Sequence, residues 1–123
     1  MPGMWPFKVG ATAGAAAAAA AGELWVWGTG GSGQLGLGNI TNYSSPKQVG
    51  ALTTWATLAL GTSHTIAVKT DGTLWAWGLG TDGRLGLGNI TSYSSPKQVG
   101  ALTTWTTLGA RSYGTQFSAG ITG

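Results

Sequence analysis

Residues 22–60 read GELWVWGTGGSGQLGLGNITNYSSPKQVGALTTWATLAL, and residues 72–110 read GTLWAWGLGTDGRLGLGNITSYSSPKQVGALTTWTTLGA. The two stretches lie 50 residues apart, align without a gap and agree at 29 of 39 positions. A fixed period of this length signals stacked supersecondary units, because one such unit cannot bury its apolar face alone. The repeats occupy residues 22–123, and residues 1–21 form a separate alanine-rich arm.

Each unit predicts strands. Leu24-Trp25-Val26-Trp27 is a β-prone run closed by Gly28. Lys47-Gln48-Val49 follows Pro46, which suits the start of a strand or an edge. Trp55 to Leu60 and His64 to Lys69 are further runs. The second of these places Ile66 and Val68 on one face, and Thr65 and Ala67 on the other. Asp71-Gly72 joins it to the next Leu-Trp strand. An Asp-Gly pair between two β-prone runs predicts a hairpin with a type I′ turn, which needs positive φ. The glycine-studded stretch after each Leu-Trp strand reads as a loop of sharp turns. No helical period occurs inside the repeats. Ala15 to Ala21 is the one helix candidate, too short to be stable without docking.

The order LWAWG, LGLG, SSPKQV, a Trp two residues before a Thr-Leu pair, then SHTIAVKTDG resembles the regulator of chromosome condensation repeat. The residues that carry the resemblance are Trp75 to Gly78, Leu85 to Gly88, Pro96, His64 and Asp71-Gly72. It implies an all-β fold of four-stranded blades, of which about seven close a ring in that family. This chain holds about two repeats. By the 50-residue offset, Gly114 stands where His64 does and Ile121 where Asp71 does. The family's nucleotide-exchange and chromatin activities rest on a full ring and find no residue here to carry them. Short members of bacterial and phage type, among them surface and virion proteins, fit this chain better.

The strands divide as one before the first loop, then four, then three. The chain is thus out of phase with whole blades, and lone blades leave edges and apolar faces open. Head-to-tail exchange repairs this, with Leu24, Trp25, Val26 and Trp27 completing the last blade of a neighbouring copy. Such a contact is heterologous and closes into a ring or runs on as a fibre. Known propellers have about four to eight blades, so a trimer is preferred over a tetramer.

Other signals narrow the function. Charged residues make up 7% of the chain, and the six Lys and Arg are scattered, which argues against a nucleic-acid groove. With no cysteine there are no disulfides or thiolate metal sites. No run of about 18 strongly apolar residues is present, so no membrane span is expected. The N-terminal stretch lacks the leucine-rich core of a signal peptide. Residues 31–36 match G-x-G-x-x-G but lead into no helix, so a turn is expected rather than a dinucleotide site. Of the carboxylates, Asp71 belongs to the hairpin, while Glu23 and Asp82 do not recur in the repeat. The one histidine, His64, suits a structural hydrogen bond at a strand end. Ser44-Ser45 and Ser94-Ser95 precede proline, have no evident base and read as turn residues. The sequons at Asn39, Asn42 and Asn89 matter only on a eukaryotic secretory route.

These features predict a protein without catalytic residues, cofactor or metal. The first expectation is a structural assembly protein, of the virion or tail-fibre kind, in a virion or on an extracellular surface. Its arm would dock onto other structural proteins through Trp5 and Phe7, since aromatic anchors dominate interfaces. The alternative is an adhesion module that recognises glycan or protein through the blade loops, with Tyr43 and Tyr93 as contacts. The blade tryptophans either pack between blades or face outward to stack on a partner.

Overall fold

The computed structural model describes residues 8–10, 22–108 and 120–122. Trp5, Phe7, the alanine run and residues 109–119 lie outside the described residues.

The described residues form nine strands: β1 Lys8–Gly10, β2 Glu23–Gly28, β3 Tyr43–Gln48, β4 Trp55–Leu60, β5 His64–Lys69, β6 Leu74–Gly78, β7 Tyr93–Gln98, β8 Trp105–Leu108 and β9 Gly120–Thr122. They make three sheets in the orders β1-β2-β3, β4-β5-β6-β7 and β8-β9. The middle sheet is a complete antiparallel blade. The fold is all-β, as the repeat predicts.

The blade boundary falls one strand later than the sequence suggested. The Pro-Lys-Gln segment does not open a new blade. It pairs back on the Leu-Trp strand before it, with Trp25 opposite Gln48 and, in the second repeat, Trp75 opposite Gln98. Val49 and Val99 extend these ladders by donating to the carbonyls of Leu24 and Leu74 at 2.8 and 2.7 Å. The strands starting at Tyr43 and Tyr93 therefore close a blade rather than begin one. In blade strands the described residues divide as two, four and two, with β1 added at the first sheet's edge.

β5 is one of the two inner strands of the middle sheet, and its first five residues are buried. Its alternation distributes the core over two faces. Ile66 and Val68 pack with Leu74, Ala76 and Leu85 on the side of β8–β9. Ala67 packs with Leu58 and Trp77 against Leu24 and Val26 of β2. The period-2 reading of this strand is correct, and each face becomes a blade-to-blade core.

The Asp71-Gly72 hairpin is present, but its turn is not type I′. The Gly72 N–H donates to Lys69 at 2.9 Å, and Lys69 N–H to Thr73 at 3.0 Å. Gly72 takes φ +83°, and Asp82 is the one non-glycine of positive φ among the described residues, so Asp71 does not. This is a three-residue loop with a left-handed glycine after the turn. Asp71 instead accepts from the Thr73 N–H at 3.0 Å and its hydroxyl at 2.6 Å. Those bonds hold the Asp71 carboxyl below the usual carboxylate range.

At the C-terminal side, the register departs from a 50-residue offset. Trp55 pairs with Lys69 in the central blade, whereas Trp105 pairs with Thr122. Thr122, rather than residue 119, thus takes the place of Lys69. Gly120 takes the place of Ala67, because it faces Leu108 as Ala67 faces Leu58.

Candidate functional site

The loop of residues 29–42 leaves β2 and crosses onto the central blade. Trp77, fully buried at the end of β6, donates its indole N–H to the Gln34 carbonyl at 2.9 Å. The Thr65 hydroxyl donates to the same oxygen at 2.9 Å. Gly38 N–H reaches the Ser94 carbonyl on β7 at 2.7 Å. Gly36 lies so close to the indole that a Cβ would stand 2.7 Å from Trp77 Nε1. Trp55 meets the Trp77 ring edge-on at 5.7 Å between centroids, a geometry favoured by the ring quadrupoles. Loop, tryptophan and strand together make an inter-blade clasp, and the indole is its plug.

Among the described residues this clasp is made once, and the counterparts of Trp77 and of Ser94 to Pro96 are more exposed. Trp27 is the repeat equivalent of Trp77 but is half-buried where Trp77 is fully buried. Ser44 to Pro46 on β3 are exposed, whereas their equivalents Ser94 to Pro96 on β7 are half-buried under loop 29–42. At the other end, the equivalent loop, residues 79–92, borders a cavity of about 230 Å³ lined by Arg84, Leu85, Gly86, Val99, Trp105 and Gly120.

The strand proposed for exchange divides by face. Leu24 and Val26 are fully buried against the central blade. Trp25 and Trp27 are half-buried on the opposite face. Trp25 donates to Glu23 at 3.1 Å. The outer edge of β2 is met in parallel by β1, with Val9 opposite Leu24 and Gly10 opposite Trp25.

Tyr43 and Tyr93 stand at the starts of β3 and β7 and are half-buried. The Lys47 and Lys97 ammoniums lie 5.3 and 5.2 Å from their ring centroids. The side chains that stand out on these loops are Ile40 and Ile90, 66% and 69% exposed. Sequence reasoning missed them, although their signal is present: each follows an asparagine that caps the next turn, Asn39 accepting from Thr41 N–H and Asn89 from Thr91 N–H, both at 3.0 Å.

A second cleft of about 470 Å³ lies between β2–β3 and the central blade and includes Lys69, Trp55 and Trp75. Lys69 Nζ sits 3.8 Å from the Trp75 centroid and 4.9 Å from that of Trp55. Burial lowers the Lys69 pKa against the raising effect of Asp71. His64 is buried at the start of β5, with its ring over Gly61 where no Cβ fits. Among the described residues no three of His, Cys, Asp and Glu come together, and no helix is long and apolar enough to cross a membrane.

Comparison with known proteins matches this geometry. The model of the regulator of chromosome condensation (RCC1) repeat matches residues 21–68 and 71–120, and a second model of that repeat matches residues 55–84. No curated protein matches. Among solved structures, Prp20p from Saccharomyces cerevisiae, described with its binding to Gsp1p and histones, is 23% identical with a TM-score of 0.59, over 69% of this chain and 22% of that one. Yeast RCC1 (Prp20) bound to Kap60 is 24% identical with a TM-score of 0.57, over 68% of this chain and 21% of that one. The chain thus spans about a fifth of the length of these structures. Two consecutive repeat matches, a complete four-stranded blade and a shared propeller fold establish the chain as a member of the RCC1 repeat family.

Proposed function

We propose that this chain is a non-enzymatic assembly protein, a two-blade propeller unit completed head to tail by copies of itself, in a structural particle of the virion or tail-fibre kind. The observation that carries the reading is the division of blade strands into two, four and two. β2–β3 correspond to β6–β7, the last two strands of the central blade, and β8–β9 correspond to β4–β5, the first two. Placed side by side, the two halves make one blade. The register follows from the central blade, where Val68 faces Leu74. Ile121 takes the place of Val68 and Leu24 that of Leu74, so Ile121 of one copy would face Leu24 of the next. Each copy contributes two blades, and a trimer would close six.

Exchange on this edge displaces β1, which covers three residues of β2 in parallel. The central blade pairs β5 with β6 over five residues in antiparallel, and antiparallel pairing is the stronger per residue. The arm so released would dock onto other structural proteins, with Trp5 and Phe7 as anchors. Deleting residues 1–21 should then abolish incorporation into the particle while the repeats stay folded.

The test uses the absence of native cysteine. Leu24→Cys with Ile121→Cys, oxidised under native conditions, should give cross-links between copies, and light scattering of the natural chain should give a multiple of its mass. A single-chain mass at micromolar concentration, with no intermolecular cross-link, would refute the reading.

A second reading rests on Ile40 and Ile90, exposed at equivalent positions of successive loops that also carry Tyr43 and Tyr93. These loops would recognise a protein or glycan on an extracellular surface. A glycan array and a protein pull-down, each repeated with Ile40→Ser/Ile90→Ser and with Tyr43→Ala/Tyr93→Ala, distinguish it. Assembly should be unaffected by the isoleucine changes, since those side chains are exposed.

A further inference from the structure

The cavity beside loop 79–92 is lined in part by the repeat counterparts of residues that surround Trp77. Arg84, Leu85 and Gly86 stand where Gln34, Leu35 and Gly36 stand. Trp105 takes the place of Trp55, and Gly120 that of Ala67 by strand register. In the first blade junction these positions surround an indole. In the second the same residues line about 230 Å³ of space. Gly36 and Gly86 report the difference directly. A Cβ at Gly36 would strike Trp77 Nε1 at 2.7 Å, whereas a Cβ at Gly86, at nearly the same φ, meets nothing nearer than Val99 at 3.5 Å.

We infer that this cavity is a socket for the indole of Trp27 from a second copy of the chain. The inference rests on the head-to-tail reading and names the contact that would fix its register. Trp27 is the occupant because it is the repeat counterpart of Trp77, two residues from the β2 positions that would pair with β9, and lies half-buried on the β2 face turned away from its own central blade. Seated there, its Nε1 donates to the Arg84 carbonyl as Trp77 does to that of Gln34. The exposed stretch from Ser44 to Pro46 then comes under loop 79–92, as Ser94 to Pro96 lie under loop 29–42. The second site differs in having Arg84 for Gln34, Gly120 for Ala67 and, on the socket's rim, Asp82, an exposed left-handed residue that pairs with Arg84 at 3.0 Å.

The test is sedimentation of the full chain across a dilution series, with Leu24→Cys/Ile121→Cys cross-linking as a separate readout of strand exchange. Trp27→Ala should weaken assembly by roughly a hundredfold, the loss typical of a central aromatic anchor. Trp27→Phe, which fills the socket without a donor, should fall between. Trp25→Ala, whose counterpart Trp75 meets Trp55 edge-on at 6.4 Å and is only half-buried, should also weaken assembly, though by less than Trp27→Ala. Gly86→Ala, which places a methyl where the indole enters, should block assembly from the socket side. Circular dichroism of each diluted single chain checks that it is folded. If Trp27→Ala proves unfolded, Trp27→Phe and Gly86→Ala decide. If the natural chain and Trp27→Ala assemble and cross-link alike, the socket is refuted and strand exchange stands. If the natural chain neither assembles nor cross-links, both are refuted.

Discussion

The Trp77 indole and the Gln34 carbonyl, 43 residues apart in sequence, meet at 2.9 Å and join two blades. Because Thr65 donates to the same oxygen, removing the indole N–H does not orphan the acceptor. Trp77→Phe should therefore lower stability by about 1–2 kcal/mol, from one hydrogen bond and a smaller ring. A thermal melt shifted down by several degrees, with unchanged circular dichroism, is the expected result.

Gly36 and Gly86 give a paired measurement. Both have positive φ, +73° and +72°, so alanine strains the backbone by about 1 kcal/mol or more at either site. Only at Gly36 does the new methyl also strike Trp77. Gly36→Ala should cost the isolated chain at least 1 kcal/mol more than Gly86→Ala, by the usual penalty of overpacking. Equal losses in denaturant titrations would show that the clasp is looser than its geometry.

Asp71 links stability to pH. Hydrogen bonds from the Thr73 hydroxyl and N–H lower its folded-state pKa. A carboxylate with a depressed folded pKa stabilises above its unfolded pKa, about 3.9, and loses that contribution as pH falls through the folded value. The natural chain should melt above Asp71→Asn at neutral pH, and the gap should close in acid. A gap that persists or widens there would assign the effect to turn geometry instead of charge.

The contact of β1 with β2 predicts an effect on assembly. Val9→Pro removes a backbone donor from the middle of a three-residue strand. If β1 holds the edge that β9 of another copy would take, this change should lower the concentration at which the chain assembles. Sedimentation showing the opposite shift would mean that β1 supports β2 rather than competing for it.

Much of the fold was legible in the sequence, because alternation is local. β2, β4, β5 and β6 follow the β-prone runs to within a residue, and Ile66 and Val68 share the face assigned to them. Phase was not legible. Pro46 argues equally for the start of a strand and for its outer edge, and the pairing of Val26 with Lys47 decides it. The Asp-Gly turn type failed because Asp71 spends its carboxylate on Thr73 instead of adopting positive φ. The shift that brings Thr122 opposite Trp105 was hidden because residues after 110 no longer resemble the first repeat. The clasp was hidden for a more basic reason. Its acceptor is a main-chain oxygen, identical at every residue, and only the path of loop 29–42 selects Gln34.

The duplicated segment and the spatial blade do not coincide, and the Gln34 clasp lies on the offset between them. A stretch of 50 residues copied in tandem therefore carries, besides the strands of one blade, the stitch that sews it to the next. Lengthening such a gene needs no newly evolved interface: each added copy arrives with its seam already cut to fit.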